Sequence, residues 1–341
     1  MKVLRLATVA SLCLVTARAI ADDKTEWELW LPPKGTPVKA VFVAPRWGDG
    51  ANMVQIVQKN LGEKLGVATM LTRADALTFK ESHFLPSITN TLAAAAVEHH
   101  RSELANAPLL LWSHSNSAAY IQRMLKQMPE RVIAYCLFKP AFGQNTDLGT
   151  GAALEVQDYG RVSPLTDEKN IRPMSQAAKE VLGQSIWDMN DNIKAPGYNQ
   201  EHERKVMLKN MSDARKQGAL VHVTLVRGTH HVIDGQQDLM MAFLEVAMAM
   251  RLPRSSTPAR GPVKLIGGLE KRGWIQNPES KSIYAYSDYP DKRQREGWWL
   301  PTWDYAGMWN AYALNAKGEM VAPKKTTTKQ GTLLRPSTRK Q

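Results

Sequence analysis

From Trp27 onward, apolar and polar positions fall into short runs that switch repeatedly between a period of two and a period near 3.6. Trp27, Leu29 and Leu31 alternate with Glu26, Glu28 and Trp30, and Pro32-Pro33-Lys34-Gly35 closes the run with a turn. Val38 to Val43 is almost continuously apolar, the pattern of a strand buried on both faces. It stops at Pro45-Arg46-Trp47-Gly48-Asp49-Gly50, a tight loop that opens a helix from about Ala51 to Leu61. Val67–Leu71 reads as a strand, Ile88, Leu92, Ala95 and Ala96 as a helical face after Pro86, and Leu109–Trp112 as a further strand.

The same alternation carries on. Ile121, Met124, Leu125 and Met128 mark a helix, and Val132–Phe138 a strand. The segment 143–172 is polar, rich in Gly, Asp and Thr, and without period, so it is expected to be a lid-like excursion over the carboxyl edge of the sheet. A helix near 175–182, a weak strand Gln184–Trp187, a helix from about Glu201 to Gln217, a strand Leu220–Val226 and an apolar helix Leu239–Leu252 follow. Strands alternating with helices predict the α/β class, a doubly wound and mostly parallel sheet covered on both faces.

Composition changes this picture at the two ends. Lys2 and Arg5, an apolar run from Leu6 to Val15, and Ala19-Ile20-Ala21 before two aspartates form the pattern of a secretory signal peptide, residues 1–21. A secreted or periplasmic product is expected, and Cys136 would be the one cysteine left after cleavage, too few for an internal disulfide. No later stretch reaches the ~18 continuous apolar residues of a membrane span. The α/β core is expected over 24–252, a Ser/Pro/Gly/Arg linker over 253–262 and a small β-rich appendage with one helix over 263–315. Five of the ten tryptophans fall in that appendage: Trp274, Trp298, Trp299, Trp303 and Trp309. Rings so dense in so short a stretch are either its packing core or a platform for flat ligands, and packing is the simpler account. The net charge of +12 comes partly from a basic tail, 316–341, whose low hydrophobicity predicts disorder rather than a nucleic-acid surface.

The strand Leu109–Trp112 runs into Ser113-His114-Ser115-Asn116-Ser117 and then a helix. A sharp strand-to-helix turn of this kind lifts one serine above the sheet and sets its hydroxyl at a helix amino end, near free backbone donors. In this respect the chain resembles the α/β-hydrolase superfamily of serine esterases, with Ser113 and Ser117 standing where glycine is usual on either side of the nucleophile elbow. The competing reading is that the serines simply cap the helix.

The resemblance implies Ser115 as nucleophile and a histidine in the turn after the last core strand, Arg227-Gly228-Thr229-His230-His231. The common turn length favours His231 as base and a shorter variant His230. It also implies an orienting acid after the preceding strand, at Asp191 in Trp187-Asp188-Met189-Asn190-Asp191, with Asp188 in reserve; a polar turn or helix cap accounts for these aspartates equally well. The oxyanion would be held by the backbone N–H of Asn116 and by one from the loop after Val43, where Arg46 and Trp47 are the candidates. Of the eight histidines, none forms His-Glu-x-x-His, and His99-His100 reads as a surface pair on a helix. No phosphate loop or dinucleotide fingerprint is present, so no metal and no cofactor is implied. The partner expected is an ester, small or polymer-borne, and the sequence leaves oligomeric state open. A non-catalytic binding protein on the same fold, or a thioesterase or peptidase with the same triad, are the rival functions.

Overall fold

A computed structural model describes residues 27–45, 49–72, 81–140, 173–189, 200–227, 235–254, 258, 261–277, 282–313, 327–328 and 331–332. The signal segment 1–21, the excursion 143–172, Arg46, Trp47, Asp191, His230 and His231 lie outside the described residues.

Seven strands form one sheet in the order β1-β3-β2-β4-β5-β6-β7. They are β1 (Trp27–Trp30), β2 (Ala40–Pro45), β3 (Val67–Thr72), β4 (Leu109–His114), β5 (Val132–Phe138), β6 (Leu182–Asp188) and β7 (Val221–Val226). Only β1 is antiparallel; every other pairing in the sheet is parallel. Each parallel strand is buried along its whole length, which explains why their sequences are apolar runs rather than alternations. Successive residues feed opposite layers. Leu109 and Leu111 join a core with α3 (Glu81–Glu98), α4 (Ala118–Gln127) and α6 (Gln200–Lys216), whereas Leu110 and Trp112 join one with α1 (Gly50–Val57), α7 (Gln237–Arg251) and α8 (Trp303–Tyr312). The doubly wound, mostly parallel α/β architecture is therefore as expected.

Local departures have physical causes. After α1 the chain continues through a π turn, Gln58–Gly62, and a short α2 (Glu63–Leu65), and Gly66 at φ 71° turns it into β3. A Cβ there would lie 2.2 Å from the carbonyl oxygen of Pro37, so glycine is needed for both reasons. The helix expected over 175–182 shrinks to α5 (Gln176–Lys179), and β6 is longer than expected, because Gln184, Ser185 and Asp188 are buried polar residues that dilute the apolar signal. His99 and His100 lie in the turn that ends α3 rather than on a helix, with His100 at φ 51°. Within the basic tail the described residues are β11 (Thr327–Thr328) and β12 (Gly331–Thr332), a minimal antiparallel pair where no structure was expected.

The C-terminal appendage is a three-stranded antiparallel sheet, ordered β10-β8-β9, with α8 beside it; the strands are β8 (Trp274–Gln276), β9 (Ile283–Ala285) and β10 (Trp298–Leu300). Trp299 and Trp309 are buried in the core shared with α7, while Trp274 and Trp303 form a half-buried ring pair 4.5 Å apart. The tryptophans thus act mainly in packing. An in-register polar row crosses the sheet beneath α8, formed by Cys136, Gln184 and His222. Cys136 Sγ donates to Gln184 Oε1 (3.4 Å), Gln184 Nε2 donates to Tyr305 Oη (2.6 Å), and that hydroxyl meets His222 Nε2 at 2.8 Å. Beyond it, the fully buried guanidinium of Arg215 on α6 donates to the carbonyls of Gly297 and Gln294 and pairs with Glu270 at 3.0 Å, which in turn pairs with Arg295.

The polar row makes stability pH-dependent. Burial holds the His222 imidazole down at about 3, against an ordinary 6.5, and a hydrogen bond to the backbone of Trp299 offsets this only in part. An unfolded chain therefore takes up a proton that the folded one refuses between these values. Stability from this group is complete above the ordinary histidine range and is lost as pH falls from about 6.5 toward 3, at up to about 1.4 kcal/mol per pH unit. Urea midpoints measured from pH 7 to pH 4 are expected to fall more steeply for the wild type than for His222→Gln. Parallel curves would show that His222 is not buried neutral.

Candidate active site

The sheet order itself selects one place for a site. The chain leaves β2 toward β3 on one side and returns to form β4 on the other, so the crevice between the carboxyl ends of β2 and β4 is the switch point where open α/β sheets bind ligands. Ladder pairing between the two strands extends from Val41 opposite Leu109 to Val43 opposite Leu111. Beyond it the hydroxyl of Tyr120, from α4, stands between them: it accepts from the Trp112 N–H at 3.1 Å and lies within hydrogen-bonding reach of the carbonyls of Val43 (2.9 Å) and Trp112. Tyr120 thereby satisfies backbone groups that the parted strands leave open.

Ser115 occupies the mouth of this crevice. It follows the last residue of β4, begins a single 3-10 turn through Asn116 and Ser117, and has φ 55°, the left-handed region that costs a non-glycine residue about 1–2 kcal/mol. The strain is braced from both sides of the turn. Ser117 Oγ accepts from the N–H of His114 at 2.9 Å and donates to the carbonyl of the same residue at 2.6 Å. Ser117 is the N-cap of α4, yet its side chain makes no cap bond, so the helix-cap reading does not hold for Ser117. The other flanking serine is different: Ser113 Oγ is buried with no hydrogen-bond partner among the described residues. Asn116 lies inside the turn at the amino end of α4, where backbone N–H groups are free of intrahelical partners.

The loop after β2 is tied to this turn. The Asp49 N–H donates to His114 Nδ1 at 3.2 Å, with the Asp49 carboxylate 3.9 Å from the same nitrogen, and the His114 ring packs on Phe138. Gly50 permits the approach, since a Cβ there would lie 1.8 Å from the carbonyl oxygen of Pro45. The loop holding Arg46 and Trp47 is thus anchored immediately before and after itself.

On the other side of β4, Lys139 directly follows β5 and Asp188 ends β6, and the two form an ion pair at 3.0 Å with neither residue exposed. Asp188 is therefore the last residue of a buried strand and the partner of a buried ammonium, not a polar turn or a cap. Gln200 Nε2 donates to the carbonyls of Asp188 and Met189, both at 3.3 Å, so the segment holding Asp191 begins and ends at one point of the sheet edge. The sequence reading missed Lys139, Tyr120 and the His114–Asp49 tie. Lys139 alone carried a signal, as a lysine directly after seven residues of apolar strand. Among the described residues no three His, Cys, Asp or Glu side chains come together as a metal site would require, and no helix is long and apolar enough to cross a membrane.

No family model and no curated protein matches the sequence. Solved structures do resemble it. A carboxylesterase study of Nitrososphaera gargenis provides one, at 10% identity and TM-score 0.41 over 68% of this chain and 98% of that one. A soluble variant of monoglyceride lipase from Saccharomyces cerevisiae is similar at 12% identity and TM-score 0.43, over 71% and 96%. An α/β serine hydrolase without lid from Xanthomonas campestris is similar at 11% identity and TM-score 0.38, over 66% and 88%. The chemistry proposed below rests on the residues of this chain.

The two flanking serines make opposite predictions. Ser117→Ala removes both braces of the strained turn and should lower stability by about 1–2 kcal/mol. Ser113→Ala removes a buried hydroxyl that has no partner among the described residues and should be neutral or stabilising. Thermal or urea unfolding of the two variants checks this, and equal losses from both would contradict the bracing role of Ser117.

Proposed function

We propose that the protein is a serine hydrolase that cleaves carboxylic esters, with Ser115 as nucleophile. The observation that carries this reading is the left-handed backbone of Ser115, φ 55°, at the carboxyl end of a fully buried strand and at the switch point of the sheet. A strained serine at the amino end of a helix, with its turn braced by a neighbouring hydroxyl, is what a nucleophile elbow needs and what a merely structural serine does not.

In the proposed reaction Ser115 Oγ attacks the ester carbonyl and a histidine of the turn after β7, His231 or in the shorter alignment His230, takes its proton. The developing oxyanion is met by the Asn116 N–H and by a second N–H from Arg46 or Trp47, which precede Asp49, the residue bonded to His114. The histidine returns the proton to the leaving alcohol, and water repeats the cycle on the acyl-enzyme. Asp191 holds the imidazole in the tautomer that accepts the serine proton. Action outside the cytoplasm, after removal of residues 1–21, belongs to the same proposal and rests on the sequence of that segment alone.

Purified wild-type protein should take up a fluorophosphonate probe and hydrolyse short p-nitrophenyl esters, and Ser115→Ala should lose both. A folded wild type that takes up no label would end the catalytic reading in favour of a binding protein. The remaining members of the triad separate by size of effect. His231→Ala should lose three or more decades in kcat and His230→Ala far less, while Asp191→Asn should lose up to about four decades with an unchanged melting temperature. The reverse order for the histidines would select the shorter turn, and an active but destabilised Asp191→Asn would remove Asp191 from the triad.

A further inference from the structure

The carboxyl ends of the strands lie in register across the site. His114 stands opposite Phe138, Phe138 opposite Ile186, and Asp188 opposite Val226. Ser115 therefore follows β4, Lys139 follows β5, Asp188 ends β6, and the segment with His230 and His231 follows β7. Strands are ~4.8 Å apart, so the ends of β5 and β6 lie between Ser115 and the end of β7. The Lys139–Asp188 pair occupies that interval.

The pair is built with care for position rather than for stability. Lys139 is held at φ 42°, a second strained non-glycine residue beside Ser115, and its N–H donates to the Ile186 carbonyl at 2.7 Å. Its ammonium sits 5.2 Å from the centroid of the Phe138 ring and 3.0 Å from Asp188 Oδ2. Two ions removed wholly from water gain little over an apolar pair of the same volume, which would join the two strands as well. What an apolar pair cannot supply is a fixed dipole. Lysine enters from β5, next to the nucleophile's strand, and aspartate from β6, next to the base's strand.

We propose that Lys139 and Asp188 are positioning residues whose buried ion pair acts as a preorganised dipole for the transition state, a role that rests on the serine hydrolase reading. In the proposed reaction, acyl transfer places negative charge on the substrate oxygen beside Ser115 and positive charge on the general base, which the sequence puts after β7. The dipole points the same way, with its cationic end toward the first and its anionic end toward the second. Being fixed before the reaction, it stabilises the separated charges without reorganising, and water does not screen it.

The test replaces the charges and keeps the packing. Two double variants, K139M/D188L and K139Q/D188N, are compared with wild type for kcat and KM on a short p-nitrophenyl ester and for melting temperature. The expected result is a folded protein with a melting temperature within a few degrees of wild type, KM unchanged, and kcat lower by about ten- to a hundredfold. Either variant folding with kcat within threefold of wild type overturns the proposal. So does failure of both to fold, which would make the pair a structural clamp. A four-decade loss together with a fully active Asp191→Asn overturns it too, by making Asp188 the triad acid itself. A wild type without esterase activity or probe labelling is a different failure, that of the hydrolase reading.

Discussion

A parallel sheet buried on both faces can present chemistry only where its strands end. In this chain the constraint is severe, because β2 to β7 are buried at every position and their side chains are committed to two separate cores. The chemistry-bearing residues therefore collect at the carboxyl edge, and the crevice between β2 and β4 decides which of them matter. Three polar side chains keep that crevice in shape. Tyr120 fills the place where the strands part, Ser117 braces the turn that carries Ser115, and His114 holds the following loop by accepting from Asp49. That last bond requires an unprotonated Nδ1, so the imidazole beside Ser115 acts as an acceptor and packs as a flat apolar wall against Phe138.

The far edge of the sheet has a different difficulty. β7 has a partner on one side only, and an exposed edge strand invites pairing with another chain. The appendage covers it. Trp309 Nε1 donates to the Val223 carbonyl on β7, and Arg215 reaches the carbonyls of the segment before β10. Because α8 seats Tyr305 on the polar row of Cys136, Gln184 and His222, the appendage is fixed by direction as well as by area. A hydrophobic surface alone would tolerate sliding; a row of hydrogen bonds fits in one register.

Much of this was legible in the amino-acid sequence, for a clear reason. Strands buried on both faces read as apolar runs, and the runs Val38–Val43, Leu109–Trp112 and Val132–Phe138 each fall on an observed strand within two residues at either end. β6 was harder, since Gln184, Ser185 and Asp188 are polar residues whose burial depends on partners far along the chain: Tyr305 for the first and Lys139 for the last. The serine turn was legible as strand, small residues and helix in succession. Its bracing was not, because two serines equally small in sequence turn out to differ, Ser117 bonded twice and Ser113 without a partner among the described residues. Ion pairs between strands that are neighbours in space but remote in sequence leave no local period. For that reason the pairing of Lys139 with Asp188 could be found only once β5 and β6 were known to be adjacent.

The molecule buries ionisable groups in two ways, and the contrast bears on where charge is wanted. Beneath α8, His222 is buried as a neutral ring. Tyr305 and the Trp299 backbone meet its two sides, and burial drives its imidazole far below the ordinary range. Charge is excluded there because burial penalises the protonated ring. At the carboxyl edge, Lys139 and Asp188 are as deeply buried yet hold each other across 3.0 Å. Apolar residues could stand at both positions, as Val226 does at the end of β7. Full burial of an ion pair one strand from a strained serine, in a sheet whose other buried polar residues are neutral at the same depth, is explained by a field that the site uses rather than by a fold that would otherwise fail.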